Sequence, residues 1–476
     1  MQNSDRIWDI VDGRREAYEA LSDRVFDTPE IAYTEYQSSD AHLAMLQAEG
    51  FRITRDLAGI PTAVMGEAGE EGPVIAILGE YDALPELGQE AGLAEPKPAG
   101  GKPGPGHGCG HNLFGAAAML AAAAVKDYLA ETGIKARVRY YGCPAEEGGA
   151  AKTFMVRAGL FDDVDAAITW HPSGVNAVDI APTLANSRID YTFHGRAAHA
   201  AASPELGRSA LDAVELMNIG VNYMREHMPD SARIHYAYLD AGGSAPNVVQ
   251  ARATVRQLVR ARDLQGLNEL IARVDKIAEG AALMTETTVE RRVASGVSNV
   301  INNGVLQQVM QGAFDRLGAP QFDDADRNYA EAIRATLTPE HIASSFAKIG
   351  RTPDLDLPLC DFVAPLDRPA GAGEGSTDVG DVSWAVPTVQ ARVATSAIGT
   401  PLHTWQMTAQ GKSGMAHKGL VHAAKVMAAT ARDLIEQPER LAAAKAAHQA
   451  RLAAQPYRCP MPDEVQPPIQ PRPDAA

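Results

Sequence analysis

Three short strand-like runs, at 74–78, 137–141 and 166–169, are each followed by side chains capable of chemistry: Glu80 and Asp82, then Glu146 and Glu147, then His171. Helical stretches such as 113–129 separate them, which is the alternation of a mostly parallel sheet covered on both faces. The predicted fold class is therefore α/β. In open α/β sheets the ligand crevice lies beyond the carboxyl ends of the strands, so three separate segments are expected to deliver their acids and imidazole to one place.

A loop adds more of the same chemistry. Gly106-His107-Gly108-Cys109-Gly110-His111-Asn112 sets a thiol and two imidazoles among glycines that let backbone and ligands approach an ion closely. It runs into an alanine-rich helix whose positive end favours a thiolate. Taken singly, Cys109 reads as a buried inert thiol, His171 as a hydrogen-bonded structural histidine, and Glu146 with Glu147 as a solvated turn before Gly148 and Gly149. Their joint placement at strand ends reverses those readings.

Cys109, His111, Glu147, His171 and the distant His403 make a mixed ligand set for zinc or manganese, with thiolate favouring zinc. Five candidate ligands exceed a single tetrahedral site, so two divalent ions are expected, with Cys109 as the bridge. Glu146 is the expected general base, because neighbouring side chains on an extended turn point different ways. Asp82 is read equally as a structural cap or as a carboxylate that orients a metal-bound imidazole from behind. His107 is not expected to be a ligand, and His417 competes with His403 for the last position. The chemistry implied is metal-dependent hydrolysis of an amide.

At 476 residues and 45% hydrophobic content the chain is long enough for two cores. Residues 1–186 are read as the first part of a catalytic domain and 298–454 as its second part. Between them, 187–297 follow a βαββαβ order that suits an inserted ferredoxin-like α+β lid. Residues 455–476 form a Pro-rich tail expected to wrap the surface or stay disordered, and the loop-like 351–375 is expected to border the cleft. A formal charge of -17 with no basic block argues against nucleic acid and membrane partners. The longest apolar tract, 116–125, is too short to span a bilayer. Cys109, Cys143, Cys360 and Cys459 lack framework spacing, and the start carries no basic-then-apolar pattern, so a cytoplasmic location is expected.

Five segments, in order, resemble the M20 metallopeptidases and their amidohydrolase branch. They are Gly79-Glu80-Tyr81-Asp82-Ala83-Leu84-Pro85, the Gly106 to Asn112 loop, Pro144-Ala145-Glu146-Glu147-Gly148-Gly149, Gly195-Arg196-Ala197-Ala198-His199-Ala200, and the stretch 375–384. The resemblance implies a catalytic domain holding two metal ions and an inserted lid that makes the dimer. It places Cys109, His111, Glu147, His171 and His403 on ligand positions and Glu146 on the base. It gives His199 a role in stabilising the tetrahedral intermediate of the partner subunit, Asn247 a substrate or oxyanion contact, and Arg256 a substrate carboxylate. Asn112 stands where the branch usually has Asp, and 375–384 departs from its Glu-Asp-Phe version. The implied substrate is an N-acyl or N-aroyl amino acid of the aminobenzoyl-glutamate kind. The alternatives are an indoleacetyl-amino acid, a dipeptide, or a metal-binding subunit that needs a homologous partner in a heterodimer.

Overall fold

The computed structural model describes residues 5–370 and 375–472. Its strands form two sheets. The larger contains β1 (Arg52–Arg55), β2 (Val64–Ala68), β3 (Val74–Glu80), β4 (Arg137–Cys143), β5 (Ala166–Ser173) and β6 (Ala177–Val178), with β7 (Ala185–His194), β8 (Arg233–Asp240), β9 (Arg252–Ala261) and β10 (Thr288–Val297) making the smaller before β11 (Thr388–Ala394) returns to the first.

The larger sheet runs β1-β2-β4-β3-β5-β11-β6. Its four central strands are parallel, and antiparallel β2 and β6 flank them. Every residue of β3 is buried, so the strand has no polar face to alternate with. Helix α1 (Arg6–Asp27), α2 (Tyr36–Ala48) and α3 (His111–Thr132) follow in chain order; α3 packs on β3 with α1 and the helix Gly414–Glu436 on its other side. Its run of alanines, 116–118 and 121–124, is wholly buried, and their small side chains let three helices and a strand close on it. The helix is long and apolar enough to cross a membrane by length and composition, but most of it is buried in the hydrophobic core around the larger sheet.

The smaller sheet runs β10-β7-β9-β8, all antiparallel, the ferredoxin-like order. After α4 (Ala151–Arg157) in the first domain come α5 (Ala210–Met224) and α6 (Leu264–Thr285), which cover one face of this sheet through Ile189, Tyr191, Phe193, Val255 and Val259. The other face is lined with Arg188, Asp190, Arg256 and Arg260. Strand β8 lies at the edge, with Tyr236, Tyr238 and Leu239 exposed.

The tail is ordered along the surface over its described length. Met461 is buried, Tyr457 donates to Asp381 at 2.9 Å, and Arg157 donates to the carbonyls of Pro462 and Val465 at 2.8 and 2.7 Å. Residues 371–374 of the long loop and 473–476 of the tail lie outside the described residues.

Two fully buried histidines set an acid limit on this fold. Burial pushes His42 and His422 each down to about 3, so the unfolded chain takes up protons near pH 6.5 that the native state refuses. Their stabilising contribution is complete above that pH and is lost as pH falls toward 3. Urea midpoints measured from pH 7 to 4 should fall with pH, and less steeply in His422→Leu; an identical slope would show that His422 carries none of the effect.

Candidate metal centre

One buried carboxylate holds the two halves of the site in register. Asp82, just past the end of β3, lies 2.9 Å through Oδ1 from His111 Nδ1, and its Oδ2 accepts the Glu147 backbone N–H at 2.9 Å. It therefore joins strand β3, the first residue of α3 and the turn after β4. Bonding at Nδ1 leaves His111 Nε2 facing the other donor atoms, with Glu80 Oε2 3.2 Å away, as expected for a ligand oriented from behind. His171, near the carboxyl end of β5, is fixed the same way by its Nδ1 contact with the Pro172 carbonyl at 2.8 Å, and its Nε2 lies 3.4 Å from Cys109 Sγ. His403 completes the group: its backbone N–H donates to the Gly108 carbonyl at 2.8 Å, and Nε2 lies 3.3 Å from Glu147 Oε1.

The Glu146-Glu147 turn is clamped at successive positions. Ala145 takes a left-handed φ of +56°, and its N–H donates to the buried Glu35 carboxylate at 2.9 Å. Tyr33 Oη donates to the Gly149 carbonyl at 2.7 Å, and Arg188 donates to that of Gly148 at 2.9 Å. The segment is a tight turn rather than an extended one, yet the two glutamates do diverge, because they fall in different donor groups. In the facing loop, Gly106 has its Cα so close to Leu87 that a Cβ would lie 2.2 Å from the Leu87 carbonyl oxygen. Gly110 has φ +79° and ends the loop against Pro172.

Three groups of donor atoms converge within 4.8 Å: Cys109 with His111 and His171, Cys109 with Glu147 and His403, and Glu80 with His111 and Glu146. Cys109 is common to the first two, the position of a bridging ligand. His111 Nε2, Glu147 Oε1 and Glu80 Oε2 are buried without a hydrogen bond, which is what a cation would relieve, whereas Glu80 Oε1 is already paired with the Lys152 ammonium at 2.6 Å. The donor set thus fits one or more divalent ions.

Electrostatics divide the roles further. Burial, then Glu147, holds the Cys109 thiol up, outweighing His111; the helix end alone does not make a thiolate, and the proton leaves when a cation takes its place. Burial, then the charges of Glu80, Glu147 and Asp378, holds Glu146 well above the usual carboxylate range. Sequence reading missed the counterweight, Lys152. Its ammonium is fully buried, 2.6 Å from Glu80 and 2.7 Å from Asp378, and its backbone N–H donates to Asp378 at 2.9 Å. The available signal was a lysine between Ala150-Ala151 and the run Thr153 to Val156, in the first turn of α4.

Other residues fall elsewhere. His107 Nε2 contacts the Val25 carbonyl at 3.1 Å and His417 pairs with Asp23 at 2.9 Å, so neither joins the donor groups. Asn112 donates to both Ser22 Oγ and the Gly411 carbonyl at 3.0 Å, a pair of bonds that an Asp could not make. His199 and Asn247 meet on an exposed edge of the smaller domain, where Ala200 N–H donates to the Asn247 carbonyl at 3.0 Å. Arg256 is bound by Asp190 through both Nε and Nη2, at 2.7 and 3.0 Å, so its guanidinium is already occupied within the sheet.

Comparison with known proteins places this site in a family. Residues 76–338 match peptidase family M20/M25/M40. One of the p-aminobenzoyl-glutamate hydrolase subunits of Escherichia coli K12 is 45% identical over 97% of this chain and 98% of its own length. The Xaa-Arg dipeptidase of Mus musculus is 29% identical over 92% of this chain and 90% of its own. A solved dinuclear metal-binding peptidase of the M20 family from Bacillus subtilis superposes with a TM-score of 0.54 at 19% identity, covering 88% of this chain and 99% of that one. With more than half of its length matched and one relative aligned almost end to end, the chain belongs to peptidase family M20/M25/M40.

Proposed function

We propose that the protein is a dinuclear metal-dependent amidohydrolase that cleaves the amide of N-acyl or N-aroyl amino acids, aminobenzoyl-glutamate being the model substrate. The carrying observation is the near end-to-end likeness to a hydrolase subunit named for that substrate, joined to an intact Glu146 beside the donor groups. Cys109, His111 and His171 would hold one ion and Cys109, Glu147 and His403 the other. When bound, such a pair supplies Lewis acidity to the carbonyl and makes water a nucleophile near neutral pH.

The chain's own residues do the rest. Asp82 keeps His111 and Glu147 in place, and Glu146 takes the proton of the attacking water and returns it to the departing nitrogen. Its raised proton affinity suits the second step as well as the first. The exposed edge strand β8 and the turn carrying His199 support assembly through the smaller domain, with His199 reaching the site of a second copy. A homologous subunit is the alternative occupant, since the relative aligned almost end to end is itself named as a subunit. Four unpaired cysteines among the described residues agree with a cytoplasmic location. The second catalytic reading, dipeptide hydrolysis, draws on the likeness to the Xaa-Arg dipeptidase.

A panel of aminobenzoyl-glutamate, an indoleacetyl-amino acid and dipeptides, assayed with manganese or zinc, separates these readings; release of no free amino acid from any would refute both. Glu146→Ala should keep its metal and lose turnover by roughly 10²- to 10⁴-fold. Elemental analysis of the loaded protein should give about two ions per chain, falling in Cys109→Ala, as the bridging role requires. Mixing the inactive Glu146→Ala and His199→Ala proteins under subunit exchange should restore activity through one intact composite site; proven exchange without recovery would place His199 in its own chain's site or outside catalysis.

A further inference from the structure

The polar face of the smaller sheet brings three guanidiniums close together beside the metal centre. Register pairs Asp190 with Arg256, Arg188 with Leu258 and Asn186 with Arg260, so Arg188, Arg256 and Arg260 share one face. Arg256 is neutralised by Asp190, which also takes Arg292 at 2.9 Å. Arg188 and Arg260 are different. Among the described residues neither has a carboxylate within ion-pair distance: Arg188 bonds only the Gly148 carbonyl, at 2.9 Å, and Arg260 only Ser376 Oγ, at 3.4 Å.

An arginine that is mostly withdrawn from water normally keeps an acid partner. Burial, followed by the charges of Arg256 and Arg260, makes the cationic form of Arg188 costly; Glu146 and Glu147 are the groups that offset it. Those two carboxylates are committed elsewhere, Glu147 to the donor group with Cys109 and His403, and Glu146 to the group with Glu80 and His111. Cations held there would deepen the positive field around Arg188. A bound anion would offset that field at the guanidinium, and Arg188 Nη1 is anchored on Gly148, two residues from Glu146, with the rest of its planar fork available.

We infer that Arg188 seats a carboxylate of the amino-acid half of the substrate beside the 145–149 turn. The inference rests on the proposed hydrolysis of N-acyl amino acids and names the group that selects them. A substrate whose scissile amide lies at Glu146 carries its amino-acid carboxylate only a few bonds away, and Arg188 is anchored two residues along the chain from Glu146. Arg188 is a specificity-determining residue, and Arg256, held by Asp190, shapes the sheet.

The test compares aminobenzoyl-glutamate with its two mono-amides, in which the α- or the γ-carboxylate is replaced by a carboxamide. The wild-type protein should discriminate against one of the two amides by roughly 10- to 100-fold in kcat/KM, the range of a charge-assisted hydrogen-bonded pair. In Arg188→Gln that discrimination should vanish, KM for aminobenzoyl-glutamate should rise by a similar factor, and kcat should change far less than KM. Arg188→Lys, which keeps charge without the fork, should fall between. Calorimetric titration of the manganese-loaded protein with glutamate and with its mono-amides makes the comparison without turnover, so a failure of the proposed reaction and a failure of the anion seat are told apart. Discrimination that survives in Arg188→Gln, or an equal loss on all three substrates with falling metal content, would assign Arg188 to holding the turn and overturn the inference.

Discussion

The site depends first on Asp82. A single buried carboxylate accepts from the Glu147 backbone and contacts the His111 ring, so the carboxyl end of β3 sets the position of a residue from each of two other segments. The parallel order β4-β3-β5 makes this possible, because it brings three strand ends to one edge of the sheet. Cys109 then faces His171 from the loop, and His403 faces Glu147 from the far end of the chain. Asp82 is held charged: burial opposes ionisation, but His111 and the Glu147 N–H outweigh it.

Around that pivot the protein buries more negative charge than an apolar core tolerates. Glu80, Asp82, Asp378 and Glu146 lie close together, and Lys152 is the permanent cation among them. A fully buried ammonium with two carboxylates costs desolvation that its contacts must offset, so it is weak grounds for added stability. Its better rationale is geometric, since Glu80, held by it, lies 3.2 Å from His111 Nε2, while its own bonds go to Glu80 and Asp378 and not to Glu146. Cations at the donor groups would complete the charge balance that Lys152 begins.

The parallel strands β3, β4 and β5 were legible in the sequence because they are short, apolar and bounded by chemistry, and α3 was legible through its long apolar run. The edge strands β1 and β2 were not, since Arg52-Ile53-Thr54-Arg55 and Val64-Met65-Gly66-Glu67-Ala68 carry little strand signal and are defined by pairing with each other and with β4. The helices Asp324–Arg334 and Pro339–Lys348 escaped notice although each begins with a capping box, a local signal that a search for apolar runs passes over. In the site, residues beside strand ends and glycines could be named in advance. Glu35, Lys152 and Arg188 could not, because each acts through a contact with a segment remote in sequence: Glu35 on Ala145, Lys152 on Asp378, Arg188 on Gly148.

The central claim is that one carboxylate organises a shared metal centre. Equilibrium dialysis of Asp82→Asn against zinc and manganese tests it directly, because asparagine keeps the shape and removes the ability to accept from both partners at once. Affinity should drop by roughly 10- to 100-fold, the usual effect of losing the group that orients a ligand, with the circular dichroism spectrum unchanged. Wild-type affinity in a folded Asp82→Asn protein would contradict the claim.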